Sequence, residues 1–296
     1  MSDILMILLK ISLVIFMAGN LMDMGLSLKP QDALRGLRNV RFVAYTLLWG
    51  FVLSPALAYV IPLVIPLASP YATGLILVGM TPCAPFLPAI VNKAKGDLGF
   101  TAAFMLLTAI GTVAFMPFAV PLMVKGLTVS AWTIAKPLLL VVLLPLVAGM
   151  AILSASAPVA SRIQPYVKKV TGIATIIMAV LAVIVYGKGL LGVAGELAVL
   201  SQVIFFLIVT TLTYWCGFGL QPEQKIVLSA GMATRNCGAA LAPLLSMAET
   251  DQRAIVMVVL AIPLMAVFGF LAAKWFGLPA STDEPGSTPS VPKKGI

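Results

Sequence analysis

The chain has 296 residues, of which 61% are hydrophobic and only 10% are charged, and its mean hydropathy is +1.09. These values exclude a soluble globular domain and predict an all-α polytopic membrane protein. We expect a single transmembrane domain over residues 1–277 and a disordered cytoplasmic tail over residues 278–296. The net charge of +9 does not indicate a nucleic-acid partner, because most basic residues lie in short segments between apolar stretches.

Several classes of chemistry are disfavoured by residue type. Histidine is absent, and the three cysteines (Cys83, Cys216 and Cys237) all lie inside apolar segments. An odd number of buried cysteines argues against a disulfide scaffold. No paired acids and no nucleophile–base arrangement are evident, so the sequence predicts no enzyme, no cofactor and no resident metal.

Nine apolar segments reach the ~20 residues that a helix needs to cross a bilayer. Lys10 interrupts the first, which argues against a cleaved signal peptide. The third and the eighth contain residues that disfavour a continuous helix. The segments are, in order, about 4–27, 40–65, 71–92, 98–124, 129–153, 165–187, 197–219, 225–248 and 252–277.

The charges between these segments predict the orientation in the membrane. Basic residues concentrate on the side that faces the cytoplasm according to the positive-inside rule. The N-terminus is therefore expected outside and the C-terminus inside, in the plasma (inner) membrane. The residues assigned to the cytoplasm are Lys29, Arg35, Arg38, Arg41, Lys93, Lys95, Arg162, Lys168, Lys169, Lys225, Lys274, Lys293 and Lys294, against Lys125, Lys188 and Arg253 outside.

A weak internal similarity predicts two inverted repeats of four and five helices. The stretch 51–59 resembles the stretch 206–214, and Gly79-Met80 parallels Gly231-Met232, at offsets of about 152 to 155. The loop before one copy is cytoplasmic and the loop before the other is external, which is the arrangement of many secondary transporters. The segment 129–153 has no partner in the first half.

The third segment carries prolines at a spacing of three. Pro82, Pro85 and Pro88 each lack a backbone donor, and a proline inside a helix costs roughly 3 kcal/mol. We predict an unwound stretch at the middle of the membrane, where freed backbone groups face protein or a watery cavity. The alternative is a kinked helix whose carbonyls are met by neighbouring helices.

The eighth segment carries a charge at its centre. A guanidinium in the hydrocarbon costs ~3 kcal/mol, and its planar fork suits a carboxylate or a phosphate. Arg235 is therefore predicted to bind an anion, and its neighbours Thr234 and Asn236 are predicted to bridge the break or to contact the substrate. The alternatives are a structural ion pair between Arg235 and Asp23, and capping of a helix end by the two neighbours.

Further polar or soft side chains lie near these two stretches. Cys83 and Cys237 offer thiols to a soft ion or a metalloid, although a buried cysteine more often acts as a small apolar side chain. Pro85 and Leu87 belong to the unwound stretch and are predicted to contact the substrate. Asn20 is predicted to line the cavity or to bond to a neighbouring helix.

The order and spacing of several motifs resemble the bile acid:sodium symporter family, within a superfamily that also holds arsenite and auxin carriers. The resemblance runs over roughly residues 15 to 275. It implies a panel domain and a core domain in which two broken helices cross, with the first of the usual ten helices missing here. The motifs are Met22-x-Met24-Gly25-Leu26-x-Leu28, Phe51-x-x-x-Pro55, Leu77-Val78-Gly79-x-x-Pro82, Lys93-Ala94-x-Gly96-Asp97 and Arg235-Asn236-x-Gly238-x-Ala240.

The chain departs from the family at the positions where the resemblance implies sodium ligands. Only Thr101 keeps a hydroxyl there, as a weak candidate ion ligand. Most of the hard oxygen ligands are thus missing, and sodium coupling is doubtful; Arg235 would supply a fixed positive charge instead. The replaced positions, which hold polar or acidic side chains in sodium-coupled members, are Gly50, Leu87, Pro88, Gly231 and Arg235.

These observations together predict a secondary transporter that moves a small organic anion by alternating access. The candidate coupling ions are sodium, which the missing ligands disfavour, and a proton, and the lipid bilayer is the environment. An arsenite-type efflux carrier, or a passive channel or sensor, is the alternative function. The substrate, the direction of transport and the oligomeric state stay open.

Overall fold

The computed structural model describes residues 2–124, 130–192, 197–245 and 250–278, and the secondary-structure elements of this part of the chain are all helices, without a β-strand. The predicted tail 278–296 lies outside the described residues except for Leu278. The helices are α1 (Ser2–Ser27), α2 (Pro30–Leu37), α3 (Val40–Leu48), α4 (Ser54–Val64), α5 (Ser69–Gly79), α6 (Leu87–Lys93), α7 (Leu98–Met123), α8 (Ala131–Leu138), α9 (Leu144–Ala155), α10 (Ala157–Gly192), α11 (Ala198–Trp215), α12 (Pro222–Ala233), α13 (Cys237–Leu245) and α14 (Gln252–Phe276).

Seven helical stretches in the described residues are long and apolar enough to cross a bilayer, which confirms the prediction of an all-α polytopic membrane protein. Two of the seven are pairs of helices joined without a break, α3 with α4 and α8 with α9. The remaining apolar segments are split into α5 and α6, and into α12 and α13. The seven stretches are Ile4–Ser27, Val40–Val64, Leu98–Met123, Ala131–Ala155, Ala157–Gly187, Ala198–Trp215 and Gln252–Phe276.

Two π-helical turns join the paired helices, Trp49–Leu53 between α3 and α4 and Leu139–Leu143 between α8 and α9. Each turn lies just before a proline, Pro55 or Pro145. A proline has no N–H to donate, and its ring crowds the carbonyl four residues earlier. The wider π turn makes room for that ring, so both helices continue across the membrane.

Two sequence predictions of boundaries were wrong. The basic stretch after α1 was expected to be a loop, but it forms α2, which begins with a proline in its first turn and buries Ala33. The segment predicted at 165–187 begins eight residues earlier, at Ala157. Its first turns carry charged side chains such as Arg162 on exposed positions, so hydropathy alone does not reveal them as helical.

Helix α1 packs along both α9 and α10. Glycines bring α1 and α9 into backbone contact: a Cβ on Gly25 would lie 2.3 Å from the Leu146 carbonyl oxygen, and a Cβ on Gly149 would lie 2.6 Å from the Met22 carbonyl oxygen. Small residues at such crossings drive helix association in membranes, where burial from water gives no driving force. These three helices form one closely packed group.

The broken segments belong to a second group of helices. Helix α5 packs against α4 and α14, and α12 packs against α11 and α14. Again glycines allow the closest approaches: a Cβ on Gly74 would lie 2.6 Å from the Ala254 carbonyl oxygen, and a Cβ on Gly79 would lie 2.5 Å from the Ala58 Cβ. This packing holds the ends of α5 and α12 in the interior of the protein, where the two breaks meet.

Candidate functional site

The first break separates α5 from α6 and consists of residues 80–86. Pro82 and Pro85 fall inside it, and Pro88 occupies the first turn of α6, where a missing N–H costs nothing. Cys83 has a φ of 77°, in the left-handed region that a residue with a side chain seldom adopts. The predicted interruption at the prolines is therefore present, and the kinked-helix alternative is wrong.

The second break separates α12 from α13 and is only three residues long, Thr234 to Asn236. The Thr234 hydroxyl donates to the carbonyls of Ala230 and Gly231, at 3.2 and 3.1 Å, and so satisfies the end of α12. The Asn236 side-chain oxygen accepts from the Ala239 N–H at 3.1 Å and caps the start of α13. The capping alternative for both side chains is thus observed.

The two breaks hydrogen-bond to each other. The Cys83 N–H donates to the Thr234 carbonyl and the Asn236 N–H donates to the Thr81 carbonyl, both at 2.9 Å. Pro82 and Arg235 face each other between these bonds as an isolated antiparallel bridge. A further bond runs from the Ala84 N–H to the Thr234 hydroxyl at 3.2 Å. Each break thereby meets the backbone groups that the other leaves without a helical partner.

Arg235 is fully buried at this junction. Its guanidinium donates to the Gly79 carbonyl at 3.3 Å and to the Ser54 hydroxyl at 2.6 Å, and its Cζ lies 4.9 Å from the centroid of the Phe205 ring. Gly79 ends α5, so its carbonyl lies at the negative end of that helix dipole. Arg235 Nε has no hydrogen-bond partner in the described part of the chain.

The predicted alternative of an ion pair between Arg235 and Asp23 is wrong. Asp23 instead lies 3.8 Å from the Lys168 ammonium and accepts from the Gln164 amide at 2.8 Å. Gln164 also donates to the Ser27 hydroxyl at 2.6 Å. Asp23 faces α10 because it lies on the side of α1 that packs along that helix. It therefore ties α1 to α10 rather than to the breaks.

The thiols near the breaks contact the chain itself. Cys83 Sγ lies 3.6 Å from the Ala84 carbonyl oxygen, and Cys237 Sγ lies 3.9 Å from Met265 Sδ. Both cysteines are buried and free. Within the residues described, no group of three or more Cys, Asp or Glu side chains is arranged to hold a metal ion. Both thiols are thus packed inside the protein, as is usual for a buried cysteine that acts as a small apolar side chain.

A cavity of about 480 Å³ lies beside the first break. Pro85 and Thr101, two of the predicted site residues, line it. The charged side chains at its wall were not predicted as site residues: the two lysines were assigned to the cytoplasmic loops, Asp23 was the candidate ion-pair partner of Arg235, and Asp32 was not singled out. The cavity is lined by Asp23, Met24, Ser27, Leu28, Lys29, Asp32, Pro85, Phe86, Pro88, Ala89, Leu98, Gly99, Thr101, Ala102, Met105 and Lys168.

The remaining predicted site residues do not line this cavity. Leu87, Cys83 and Thr234 are buried in the core beside the breaks, as is Arg235. Asn20 is half-buried and donates to the Phe16 carbonyl at 2.7 Å, one turn before the cavity residue Met24. The Thr101 hydroxyl, which was predicted as a weak ion ligand, donates to the Asp97 carbonyl at 2.8 Å. The structure thus gathers one group of predicted residues at the junction and another at the cavity.

Comparison with models of known families shows to which family the chain belongs. A model of the sodium bile acid symporter family matches residues 13–193, which is more than half of the chain. The chain belongs to this family. The matched region includes α1 from residue 13 onward, the first break and the cavity residues, so the family resemblance seen in the sequence motifs is confirmed.

Two similar proteins come from plants. The chain is 30% identical over 131 residues to the Oryza sativa subsp. japonica protein named "Probable sodium/metabolite cotransporter BASS2, chloroplastic", covering 44% of this chain and 31% of that protein. It is 21% identical over 264 residues to the Arabidopsis thaliana protein named "Probable sodium/metabolite cotransporter BASS3, chloroplastic", covering 88% of this chain and 61% of that protein. The chain therefore spans less than two thirds of the length of either relative.

Proposed function

We propose that this family member is a secondary carrier that moves a small organic anion across the membrane by alternating access. The observation that carries the proposal is the pair of helix breaks that hydrogen-bond to each other beside a cavity. In secondary transporters, broken helices supply binding groups at the middle of the membrane. The family membership and the names of the two relatives, both sodium/metabolite cotransporters, support a transporter of metabolites.

The proposed architecture has nine membrane crossings in one transmembrane domain, seven continuous and two broken. Four and five crossings form two inverted repeats, and the breaks occupy the third crossing and the eighth. Helices α1, α8, α9 and α10 form a panel, and the other crossing helices form a core. The packing of α1 along α9 and α10, separate from the packing around the breaks, supports this division. The N-terminus is proposed outside and the C-terminus in the cytoplasm, in the plasma (inner) membrane.

The anion is proposed to bind in the 480 Å³ cavity, against Pro85 and Thr101. The cavity wall carries charges of both signs: two aspartates, Asp23 and Asp32, and two lysines. The ammonium groups of the lysines are the groups proposed to pair with the anion. The cavity has both polar and apolar walls, as small-molecule sites commonly do. Asn20, on the helix that forms one wall, meets the substrate as the panel and the core move relative to each other.

Arg235 does not line this cavity, and it is proposed to act as a fixed positive charge at the junction of the two breaks. In the conformation described, its donors bond to Gly79 and Ser54, so contact with a carboxylate requires the junction to open. Thr234, Asn236, Cys83 and Leu87 shape the junction around it. The groups that contact the guanidinium are a carbonyl, a hydroxyl and an aromatic face, and the same groups could bind a small cation. We propose that the guanidinium occupies the position that such a cation would take. Sodium is therefore expected to have little effect on transport.

The proposal is tested with purified protein in two stages. A thermal-shift screen against small carboxylates, with and without sodium, selects a ligand that raises the melting temperature. Uptake of that ligand is then measured in proteoliposomes, in sodium and in choline buffers. We expect saturable uptake, accelerated exchange when the same ligand is loaded inside, and rates within about twofold in the two buffers.

Three results would contradict parts of the proposal separately. Uptake that rises linearly with concentration and shows no counterflow would indicate a channel instead of a carrier. A tenfold or greater stimulation by sodium would show that Arg235 does not replace the cation. Uptake of arsenite but of no carboxylate would replace the organic anion by a metalloid as the substrate.

A further inference from the structure

A second cavity, of about 290 Å³, lies between α1 and α10 on one side and α13 and α14 on the other. It shares no lining residue with the cavity beside the first break. Its wall consists of aliphatic, methionine and aromatic side chains, with one lysine and one threonine among them. The lining residues are Met6, Leu9, Lys10, Leu13, Phe16, Thr175, Met178, Ala179, Ala182, Val183, Tyr186, Leu241, Leu245, Ile255, Val259, Leu260, Ile262 and Pro263.

Lys10 is out of place in such a wall. It lies within α1, about 7 Å from the midpoint of that helix at 1.5 Å per residue, whereas one leaflet of hydrocarbon is roughly 15 Å deep. Neither salt bridge among the described residues involves it. An ionisable residue inside a membrane helix is costly and commonly marks a site. Its side chain is exposed, and none of the described side chains that line the cavity is acidic.

The direction of the side chain places the charge at one end of the cavity. Side chains on a helix lean toward its N-terminus, and a lysine extends its ammonium toward the membrane surface. The Lys10 ammonium is therefore directed toward the end of the cavity at Met6, away from Phe16. The wall from Met6 to Phe16 runs about 15 Å along α1, which is the depth of one leaflet. The cavity thus has the length of one acyl chain, with a cation toward its outer end.

We propose that this cavity binds one long-chain fatty acid from the bilayer, with the carboxylate paired to Lys10 and the alkyl chain lying along Leu13 and Phe16. A single lysine matches the single charge of a carboxylate. A volume of about 290 Å³ lies at the lower limit of pockets that hold a small molecule, roughly 300 Å³, and suits one chain better than the two chains of a phospholipid. The occupant would fill the space between α1 and α14.

The test uses delipidated full-length protein and two probes, radiolabelled palmitate and hexadecanol, which has the same alkyl length without the charge. We expect saturable palmitate binding at one molecule per chain. Lys10→Gln should weaken palmitate binding at least tenfold and leave hexadecanol binding within about twofold. Leu13→Trp, which fills the cavity, should weaken the binding of both probes. Lys136→Gln removes an exposed lysine of another membrane helix that does not line this cavity, and should change neither.

Equal palmitate affinity in wild-type protein and Lys10→Gln would overturn the proposal, as would non-saturable binding. Binding that phosphatidylglycerol displaces at lower concentration than unlabelled palmitate does would replace the fatty acid by a phospholipid. If Leu13→Trp does not fold, Lys10→Gln and hexadecanol still decide the outcome. The transport assay of the proposed carrier is independent of these results, because Lys10 lies outside the cavity assigned to the transported anion.

Discussion

The guanidinium of Arg235 lies against the ring of Phe205, with its Cζ 4.9 Å from the ring centroid, and both residues are fully buried. This contact joins the second helix break to α11. The same guanidinium reaches α4 through Ser54 and the end of α5 through Gly79. One side chain thereby connects four elements around the junction of the two breaks.

Replacing Arg235 should lower both stability and transport. Arg235→Ala leaves the Gly79 carbonyl and the Ser54 hydroxyl without their buried donor, and we expect a loss of about 2–5 kcal/mol in the free energy of unfolding. Arg235→Lys keeps the charge but not the planar fork, so an intermediate loss is expected. Melting temperature and proteoliposome uptake are measured together. Arg41→Ala is the matched control, because Arg41 also donates to a backbone carbonyl, that of Gly219, but at an exposed position.

The result separates two roles of Arg235. If Arg235→Lys restores the melting temperature but not uptake, the guanidinium acts in transport beyond holding the junction. Wild-type uptake in Arg235→Ala would remove this residue from the mechanism.

The hydrogen bonding between the two breaks can be weakened by removing one oxygen atom, that of the Thr234 hydroxyl. Thr234→Val keeps the volume of the side chain but removes the hydroxyl that accepts from the Ala84 N–H at 3.2 Å. A buried N–H without a partner costs about 1–3 kcal/mol, so the melting temperature should fall and uptake should slow. Thr234→Ser should retain both properties. Thr211→Val, which removes a hydroxyl bonded only within its own helix, is the control; an equal effect there would contradict the importance of the junction.

Two glycine substitutions should have opposite effects on stability. A Cβ on Gly25 would lie 2.3 Å from the Leu146 carbonyl oxygen, and the backbone of α9 cannot move aside cheaply, so Gly25→Ala should cost about 1–3 kcal/mol. A Cβ on Gly172 would meet nothing within 4 Å, and alanine is the better helix former by about 1 kcal/mol. Gly172→Ala should therefore leave the melting temperature unchanged or raise it. A tolerated Gly25→Ala would show that α1 and α9 can separate.

The charge on the cavity wall should govern the affinity for the substrate. Lys168→Gln removes a positive charge from the cavity wall and leaves the Asp23 carboxylate on that wall without its ion-pair partner. Both changes make the wall more negative, and we expect a KM three- to tenfold higher at low salt with kcat little changed. The difference from wild type should shrink as salt screens the field. Lys169→Gln is the matched control, since the neighbouring lysine is exposed and does not line the cavity. Equal KM values for the two variants would place the anion elsewhere.

The start of α14 should respond to acid. The hydrogen bond from the Arg253 side chain lowers the pKa of the Asp251 carboxyl below its ordinary value. A carboxyl with a depressed pKa stabilises the fold above its unfolded pKa of about 3.9, and this contribution is lost as the pH falls through the folded pKa. The melting temperature of wild type should therefore decrease more steeply below pH 4 than that of Asp251→Asn, which keeps a side chain able to cap the helix. Parallel pH profiles would contradict this.

The sequence predicted the features that depend on one residue type in an apolar surrounding. Pro82 and Pro85 lack donors, and Arg235 carries a charge, so both breaks were located within a few residues. Contacts between distant segments were not predictable, because they depend on how helices pack. Asp23 was the candidate ion-pair partner of Arg235 because it is an acid within an apolar segment. The rotation of α1 about its axis directs its side chain to Lys168 instead. Likewise Lys29 and Lys168 were predicted to be loop residues that set the orientation in the membrane, and only the fold shows that both line one cavity.

The two hydrogen bonds between Thr81, Cys83, Thr234 and Asn236 also constrain how this sequence can change. A one-residue insertion or deletion in either break would shift its N–H and carbonyl groups out of phase with those of the other, more than 150 positions away in the chain. Neither stretch can therefore vary in length by itself. Successful changes in length at this junction should come as paired events, and graft experiments between relatives should exchange both stretches at once.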